Sequence, residues 1–289
     1  MQLPPPIPWL PLLTLCHDCV APRRHTHEPH NVMRRLLQSL GTSPKDGVYL
    51  DVGPSFDMAD GLVALQLGFR VLAVEARKEA WMALRGAHKA SVASGQLTLI
   101  HRAVTNVSRP QEITLFHAHD STSLSQHAAS KKKEFKERTN ERVLTSTLDE
   151  LTADSHCAAV KLDIQGFEHE ALLGASQLLR RPPRAAPLII FELMEALRPD
   201  LPGLPTLHWL RSFGYVCYDV TSRKSNALPD GSLRHAHRCC SLKNGTTGAC
   251  SAWLDDAPKA CMPGLYSDFV CHKPSIGRNL YHGTHDPVA

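Results

Sequence analysis

The sequence predicts an α/β protein of the Rossmann-like type, with a mostly parallel, doubly wound sheet and helices on both faces. Short apolar segments alternate with amphipathic helical segments between about residues 46 and 220, and several of the apolar segments end on an acidic residue. This alternation is typical of parallel sheets covered by helices. With 43% hydrophobic and 21% charged residues, the composition is that of an ordinary globular chain and excludes disordered and fibrous classes.

Six strands are predicted in the alternating region, namely Val48–Val52, Arg70–Glu75, Leu97–Ile100, Val160–Asp163, Leu188–Leu193 and Tyr215–Asp219. The helices are expected at about Asn31–Leu40, Met58–Leu67, Lys78–Ala93, Glu168–Leu179 and Leu204–Phe213. Two further short strands, Ile113–His117 and Arg142–Leu144, flank a polar insertion, which is expected to overhang the strand ends as a lid. Three regions follow: residues 1–45, a tail and a short helix; residues 46–220, the α/β domain; and residues 221–289, a Cys-rich extension that supplies a final edge strand at Tyr266–Cys271.

Charge and hydropathy indicate which kinds of binding partner, such as nucleic acids or membranes, the chain is expected to have. The formal net charge is +4, and the one dense basic run, residues 131–138, is interleaved with acids. This run fits a solvated helix or, as the alternative, a contact to an anionic substrate, and nothing predicts a nucleic-acid partner. No segment reaches the roughly 18 apolar residues of a membrane helix, so no integral membrane segment is expected. Prolines interrupt the apolar start, residues 1–22, which leaves a poor signal sequence and a disordered tail as alternatives.

The nine cysteines leave the cellular compartment open. Cys157 and Cys217 fall in predicted strands and are expected to be inert core residues. Five others crowd into the C-terminal third, and together with the sequons at Asn106 and Asn244 they fit the secretory pathway, against a cytoplasmic default. The pair Cys16–Cys19 has the spacing of half a zinc site. It lacks a second cysteine pair; His25, His27 and His30 are the alternative ligands, but a flexible His-rich tail is favoured, so no metal is predicted.

The ends of the first two strands carry residues typical of nucleoside binding. Asp51-Val52-Gly53 ends the first strand, and Glu75 ends the second strand 22 residues after Gly53. A tight glycine turn followed by an acid that accepts ribose hydroxyls is how Rossmann-like sheets bind a nucleoside. The further glycines of the dinucleotide fingerprint are missing, which disfavours a nicotinamide oxidoreductase. An Asp two residues before the glycine suits a cofactor that carries a cation; the alternative is that Asp51 and Glu75 are strand-end caps.

The segment Lys161–Glu168 joins the end of the fourth strand to a helix. Open α/β sheets place ligands at the carboxyl ends of their strands, so Asp163 is the first candidate for a catalytic residue. Gly166 allows a close approach of backbone or ligand. Glu168 falls in the first helical turn, where the helix dipole alone favours a carboxylate.

These segments, in this order, resemble the FkbM family of S-adenosylmethionine-dependent methyltransferases, which are mostly O-methyltransferases. The matching segments span roughly residues 46–220 and are Asp51-Val52-Gly53, Val74-Glu75, Arg102-Ala103-Val104, Ser121–Ser123, Thr147–Leu151, Lys161–Glu168, Leu173-Gly174-Ala175 and Phe191-Glu192. The resemblance implies a class I methyltransferase fold, with a seven-stranded sheet whose last strand is antiparallel, and S-adenosylmethionine as the cofactor.

The resemblance also implies roles for individual residues. Asp51 and Gly53 would line the methionine end of the cofactor, Glu75 would bind its ribose, and Ala103 would flank the adenine. Asp163 would face the methyl-transfer region. The family's loop usually has a second glycine four residues after the first, where this chain has Asp57. Gly61 would take its place in a longer loop; otherwise the extra carboxylate crowds the cofactor, and the alternative function is a non-catalytic binding module.

Methyl transfer to a hydroxyl requires an aligned acceptor and the loss of a proton. Asp163 is predicted to act as the base or to orient the acceptor, while Glu168, Glu192 and Ser121 are candidates for the acceptor pocket. The resemblance suggests a hydroxyl on a sugar, a glycan or a small metabolite. Asp163 and Glu168 lack an identifiable third acid, so no metal site is assigned here.

Overall fold

The structure is a computed structural model, and it describes residues 33–34, 36–38, 40, 46–118, 121–123, 141–194, 203–219, 240–241, 247–248 and 266–274. Residues 33–34 and 36–38 are helical, within the predicted first helix. The basic run 131–138, the Cys16–Cys19 pair and the Asn244 sequon lie outside the described residues. No helix in the described ranges is long and apolar enough to cross a bilayer.

The strands in chain order are β1 (Val48–Val52), β2 (Arg70–Glu75), β3 (Leu97–His101), β4 (Ala103–Val104), β5 (Glu112–Thr114), β6 (Phe116–Ala118), β7 (Ser121–Ser123), β8 (Arg142–Ser146), β9 (Cys157–Leu162), β10 (Leu188–Met194), β11 (Val216–Asp219), β12 (Cys240–Ser241), β13 (Thr247–Gly248) and β14 (Tyr266–His272). The helices that follow residue 46 are α1 (Ala59–Gln66), α2 (Lys78–Ala87), α3 (Lys89–Ala93), α4 (Leu148–Thr152), α5 (Glu168–Leu173), α6 (Ser176–Arg180) and α7 (Gly203–Ser212).

A seven-stranded sheet forms the centre, in the order β11-β14-β10-β9-β1-β2-β3. β1 pairs in parallel with β2 and β9, whereas β14 runs antiparallel to both of its neighbours. The predicted mostly parallel Rossmann-like sheet with an antiparallel last strand is therefore confirmed. The predicted edge position of the last strand is wrong, because β14 inserts between β10 and β11 and leaves β11 at the edge.

Two apolar clusters cover the two faces of the sheet. Side chains alternate between faces along a strand, so Leu50 and Val52 pack on one face while Tyr49 packs on the other. The first face is covered by α4 to α7, with Leu172 and Leu210 among the buried contacts. The second face is covered by α1, α2 and the helical residues before β1. This arrangement is the doubly wound architecture that the alternating sequence predicts.

Two predicted helices are each divided in two. The segment 78–93 forms α2 and α3, with a non-helical backbone at His88. The segment 168–180 forms α5 and α6, with the break at Gly174 and Ala175. A Cβ atom at Gly174 would lie 2.4 Å from the carbonyl oxygen of Thr105, so only glycine lets this turn pack against the chain that follows β4.

The insertion after β3 forms small sheets of its own. β8 pairs in parallel with β4 and antiparallel with β5, and β6 pairs with β7. Ile113, Leu115 and Val143 pack with Ala103 in a separate apolar cluster. Residues 124–140 lie outside the described residues, so the lid function of this insertion stays a prediction.

A disulfide joins Cys217 of β11 to Cys271 of β14, which are directly opposed in the antiparallel pair. The expectation that Cys217 is an inert thiol is therefore wrong; strand periodicity placed it in the sheet but did not reveal its partner 54 residues away. Cys157 is a buried free thiol, and burial raises its pKa to about 12, as suits an inert core residue.

Candidate active site at the carboxyl ends of the strands

The carboxyl ends of β1, β2 and β9 meet at one edge of the sheet. The backbone N–H of Gly53 donates to the carbonyl of Val74 at 3.0 Å, and the N–H of Asp163 donates to the carbonyl of Val52 at 3.0 Å. Gly53 has a φ of 79°, and a Cβ atom there would lie 2.0 Å from the carbonyl oxygen of Asp163. Glycine is thus required for the loops after β1 and β9 to touch.

Asp51 is fully buried, and within the described part of the chain neither carboxylate oxygen accepts a hydrogen bond of ordinary geometry, although the backbone N–H of Gly61 lies near enough to favour the ionised form. Burial raises its pKa to about 7, the charge of Lys161 opposes that rise, and the charges of Asp60 and Asp163 add to it. A Cβ atom at Gly61 would lie 2.7 Å from Asp51 Oδ2, so α1 packs directly on this carboxylate. A buried acid in this state is suited to a cationic ligand.

The two acids that follow β1 are placed differently: Asp57 lies in the loop and Asp60 lies in the first turn of α1. Asp57, which stands where the family usually has a glycine, is exposed, and its Oδ1 accepts a long 3.4 Å bond from the N–H of Ala59. Asp60 is the acid that reaches the site, where its carboxylate lies 3.3 Å from Lys161 Nζ. Gly61 lies within α1 and packs against Asp51, so the loop is not longer than expected; that Gly61 substitutes for the missing glycine stays a prediction.

Glu75 is held by the backbone of both neighbouring loops. Its Oε2 accepts from the N–H of Ser55 at 3.0 Å, and its Oε1 accepts from the N–H of Arg77 at 2.8 Å. Burial raises its pKa, and the hydrogen bonds from Arg77 and Ser55 oppose that rise. A carboxylate has about four acceptor sites, so beside the backbone donors Ser55, Arg77 and Ala76 it keeps capacity for a ribose hydroxyl.

Ala103 lies in β4, and its side chain is buried in the apolar cluster with Leu115 and Val143. The part-buried side chains next to it are Arg102 and His101, and the ring of His101 stacks on Trp81 at a centroid distance of 5.4 Å. His101 Nε2 lies 2.9 Å from the carbonyl of Ala76, which connects this segment to the end of β2. A flat, partly apolar surface of this kind suits a nucleobase.

Asp163 lies just beyond β9, and both of its carboxylate oxygens have partners. Lys161 Nζ is 3.4 Å from Oδ2, and the Gln165 amide donates to Oδ1 at 2.9 Å. The same amide lies 3.5 Å from Glu192 Oε2, so Gln165 connects the ends of β9 and β10. Gln165 has a φ of 54°, a left-handed conformation that is uncommon for this residue and is often found at functional sites.

Glu168 begins α5 and is 2% exposed. Its carboxylate accepts hydrogen bonds from the backbone N–H of Ile164 at 3.0 Å and of Gly166 at 3.0 Å. Burial raises its pKa to about 8, and the backbone donors oppose that rise. These contacts favour the helix-start alternative for Glu168, with the added role of shaping the loop that carries Asp163.

Ser121 and Glu192 are the remaining candidates for the acceptor pocket. Ser121 begins β7 in the two-stranded sheet with β6, opposite Ala118, and its side chain lies outside the described part of the structure. Glu192 lies within β10 and contacts Gln165 as given above. Across the described ranges, no three His, Cys, Asp or Glu side chains converge as a set of metal ligands.

Lys161 and Gln165 lie within the Lys161–Glu168 motif, but the sequence alone did not predict a role for either residue. Lys161 could have been found from its position two residues before Asp163, because residues i and i+2 of an extended segment point to the same side. Nothing in a single sequence reveals the unusual backbone of Gln165. The structure brings Asp51, Gly53, Lys161 and Asp163 together, and Glu75 adjoins them through Ser55.

Several solved methyltransferase structures are similar to this chain at the level of the backbone. Precorrin-6y C5,15-methyltransferase from Geobacter metallireducens is 13% identical, with a TM-score of 0.41, and the match covers 88% of this chain and 93% of that one. A SAM-dependent methyltransferase from Agrobacterium tumefaciens is 11% identical, with a TM-score of 0.40 and coverages of 86% and 63%. The human methyltransferase 10 domain containing protein is 8% identical, with a TM-score of 0.38 and coverages of 84% and 80%.

No curated protein sequence matches the chain. The profile of the methyltransferase FkbM domain matches residues 51–217, which runs from the buried Asp51 to the disulfide-bonded Cys217 and includes β9 and the Lys161–Glu168 segment. This match covers more than half of the chain. The chain belongs to the FkbM methyltransferase family.

Proposed function

We propose that the protein is an S-adenosylmethionine-dependent methyltransferase that methylates a hydroxyl group of a sugar, a glycan or a small metabolite. The observation that carries this proposal is Asp51, a fully buried carboxylate that accepts no hydrogen bond of ordinary geometry among the described residues, at the end of β1. An orphaned buried acid is unfavourable by itself, and a cationic ligand relieves that cost. The membership in a methyltransferase family supports this reading.

The residues present fit the cofactor. Asp51 and Asp60 provide negative charge at the end of β1, where the ammonium group of the methionine end would be held. Glu75 has lone pairs left for the ribose, beside the segment His101–Ala103 for the adenine. When bound, S-adenosylmethionine supplies a methyl group activated on a sulfonium cation, and a negatively charged edge of the sheet favours such a cation.

Asp163 is the residue proposed to serve the acceptor. It is 36% exposed, the largest exposure in the group formed with Lys161 and Asp60. Its Oδ2 is ion-paired with Lys161, and its Oδ1 is held by Gln165, so the carboxylate has a fixed direction. A fixed carboxylate can accept the hydrogen of an acceptor hydroxyl and align its oxygen, and Glu192 lies next to it through Gln165.

Calorimetric titration with S-adenosylmethionine, with NAD as the control, tests the proposal directly. Glu75→Ala is expected to weaken cofactor binding by about 30-fold or more, because a hydrogen bond to a charged acceptor contributes about 2 kcal/mol. Asp163→Asn is expected to spare binding and to lower tritium transfer from the labelled cofactor into a panel of hydroxyl acceptors. Equal losses of binding in both variants would contradict this division of roles.

The non-catalytic binding module remains the second candidate, and Asp57 is the observation that favours it. Asp57 is a weak argument for this module, because its side chain is exposed and contacts Ala59 locally, outside the charged group at Asp51. The same titration separates the two functions. Absence of binding at millimolar S-adenosylmethionine would reject the enzyme, whereas binding without transfer to any acceptor in the panel would favour the module.

The Cys217–Cys271 disulfide supports the secretory-pathway alternative for the compartment, since structural disulfides persist in oxidising environments. Asn106, the asparagine of the first sequon, is exposed in the turn after β4, where a glycosyltransferase can reach it. Mass spectrometry of the protein from its natural source, with and without reductant and glycosidase, tests both features. A fully reduced, unmodified chain would favour the cytoplasm.

A further inference from the structure

Lys161 lies among the carboxylates of Asp51, Asp60 and Asp163, and the proposed function uses it only to help fix the direction of Asp163. It lies in β9, and its register partners are Asp51 on β1 and Ile190 on β10. Register partners on adjacent strands present their side chains on the same face of a sheet. Lys161 therefore lies beside the orphaned Asp51, on the face that α1 covers.

The ammonium of Lys161 joins two separate segments of the site. Its Nζ lies 3.3 Å from Asp60 Oδ2 on α1 and 3.4 Å from Asp163 Oδ2 in the loop after β9. The side chains of Lys161 and Asp60 are only 19% and 15% exposed, so water screens this pair much less than a surface pair. One cation thus connects the cofactor side of the site to the acceptor side.

The charges around Lys161 do not balance. Three carboxylates, those of Asp51, Asp60 and Asp163, surround one ammonium, which leaves an excess of negative charge when all are ionised. Burial disfavours the charged form of Lys161, but the three carboxylates outweigh burial and raise its pKa. Tyr49 also faces Asp51, and burial raises the pKa of its hydroxyl, so it remains neutral.

We propose that Lys161 is a positioning residue of the cofactor site: its two ion pairs hold Asp60 and Asp163 in place, and its charge favours the carboxylate form of Asp51 that would face the cationic end of the cofactor. This inference rests on the proposed function. Asp51 supplies the independent observation that points to a ligand, because it is fully buried and accepts no hydrogen bond of ordinary geometry in the described structure. A lysine needed only for folding would have no effect on the ionisation linked to binding.

The test is the pH profile of binding of S-adenosylhomocysteine, which is chemically stable and keeps the ammonium group. Calorimetry between about pH 5.5 and 8.5 is expected to show the wild-type affinity rising with pH through about 7, where Asp51 ionises. Lys161→Met removes the neighbouring cation and moves this midpoint up by about one pH unit or more, whereas Lys161→Arg keeps the charge and leaves it in place.

Asp60→Asn is the matched variant with the opposite expectation. It removes a neighbouring anion while Lys161 remains, so the midpoint moves down. It also carries the test if Lys161→Met fails to fold. A uniform loss of affinity at every pH in Lys161→Met, or an unmoved midpoint in Asp60→Asn, would overturn the role of Lys161. Absence of wild-type binding at every pH would instead reject the proposed function.

Discussion

Asp51 and Glu168 are both buried carboxylates near the carboxyl ends of neighbouring strands, yet their surroundings differ. Burial raises the pKa of Asp51 to about 7 and that of Glu168 to about 8. Glu168 accepts hydrogen bonds from the N–H groups of Ile164 and Gly166, whereas Asp51 accepts none of ordinary geometry within the described structure. One acid builds a loop, and the other is the proposed partner of a cationic ligand.

The two surroundings suit the same chemical group, a buried carboxylate, to different roles: a structural one at Glu168 and the proposed ligand-binding one at Asp51. A satisfied buried acid fixes the backbone that surrounds it. An unsatisfied one lowers stability, and folded proteins tolerate this mainly at functional sites. Removing each acid should therefore change stability in opposite directions.

Glu168→Ala is expected to have the largest effect, a loss of about 3 kcal/mol in the free energy of unfolding. The substitution leaves the N–H groups of Ile164 and Gly166 buried without their acceptor and opens a cavity beside α5. Urea unfolding at about pH 5 measures the change, because this pH is well below the folded pKa of about 8 and ionisation of Glu168 has not yet cost much stability. Glu79→Ala is the control, since Glu79 is 73% exposed and its loss should change stability by less than about 0.5 kcal/mol. An equal effect of the two substitutions would show that Glu168 does not have the structural role described above.

Asp51→Asn is expected to stabilise the protein by about 2 kcal/mol at pH 8.5 and to change stability little at pH 4. The folded pKa of about 7 lies above the ordinary value near 4, so wild-type stability falls as the pH rises between these two values. Asparagine avoids that loss because it is never ionised.

The same Asp51→Asn variant should lose cofactor affinity by about tenfold or more, because a neutral amide replaces the carboxylate that faces the cationic ligand. Thermal unfolding at both pH values, together with calorimetry, measures the pair of effects. Asp57→Asn, in the same loop but exposed, is the control and should change neither quantity. Lower stability of Asp51→Asn at pH 8.5 would show that Asp51 is a structural acid like Glu168.

The smallest expected effect is the difference in stability between the variants Gln165→Gly and Gln165→Ala. Both remove the amide that donates to Asp163, but glycine adopts the φ of 54° without strain, so the glycine variant should be more stable by about 1 kcal/mol. Both should reduce methyl transfer to the same extent if the amide orients Asp163. Unequal methyl transfer by two equally folded variants would show that the Gln165 amide does not orient Asp163.

The sequence predicted the fold closely because the apolar runs of a buried parallel sheet are short, distinct and bounded by helical patterns. It also placed Asp51, Gly53, Glu75 and Asp163 at strand ends, which the structure confirms as positions on one edge of the sheet. It missed the position of β14, because pairing order depends on long-range contacts that local periodicity does not contain. The separation of Asp57 from Asp60 was also out of reach, since it depends on loop backbone geometry and on the distant Lys161.

The disulfide between β11 and β14 shows that the methyltransferase unit is discontinuous along the chain. The FkbM profile ends at Cys217, yet the strand that completes the sheet begins at Tyr266 and is bonded back to that same cysteine. A fragment that stops at the family boundary would leave the facing edges of β10 and β11 without their shared partner and prone to aggregation. Any shortened form intended for crystallisation or assays therefore has to keep residues 266–274.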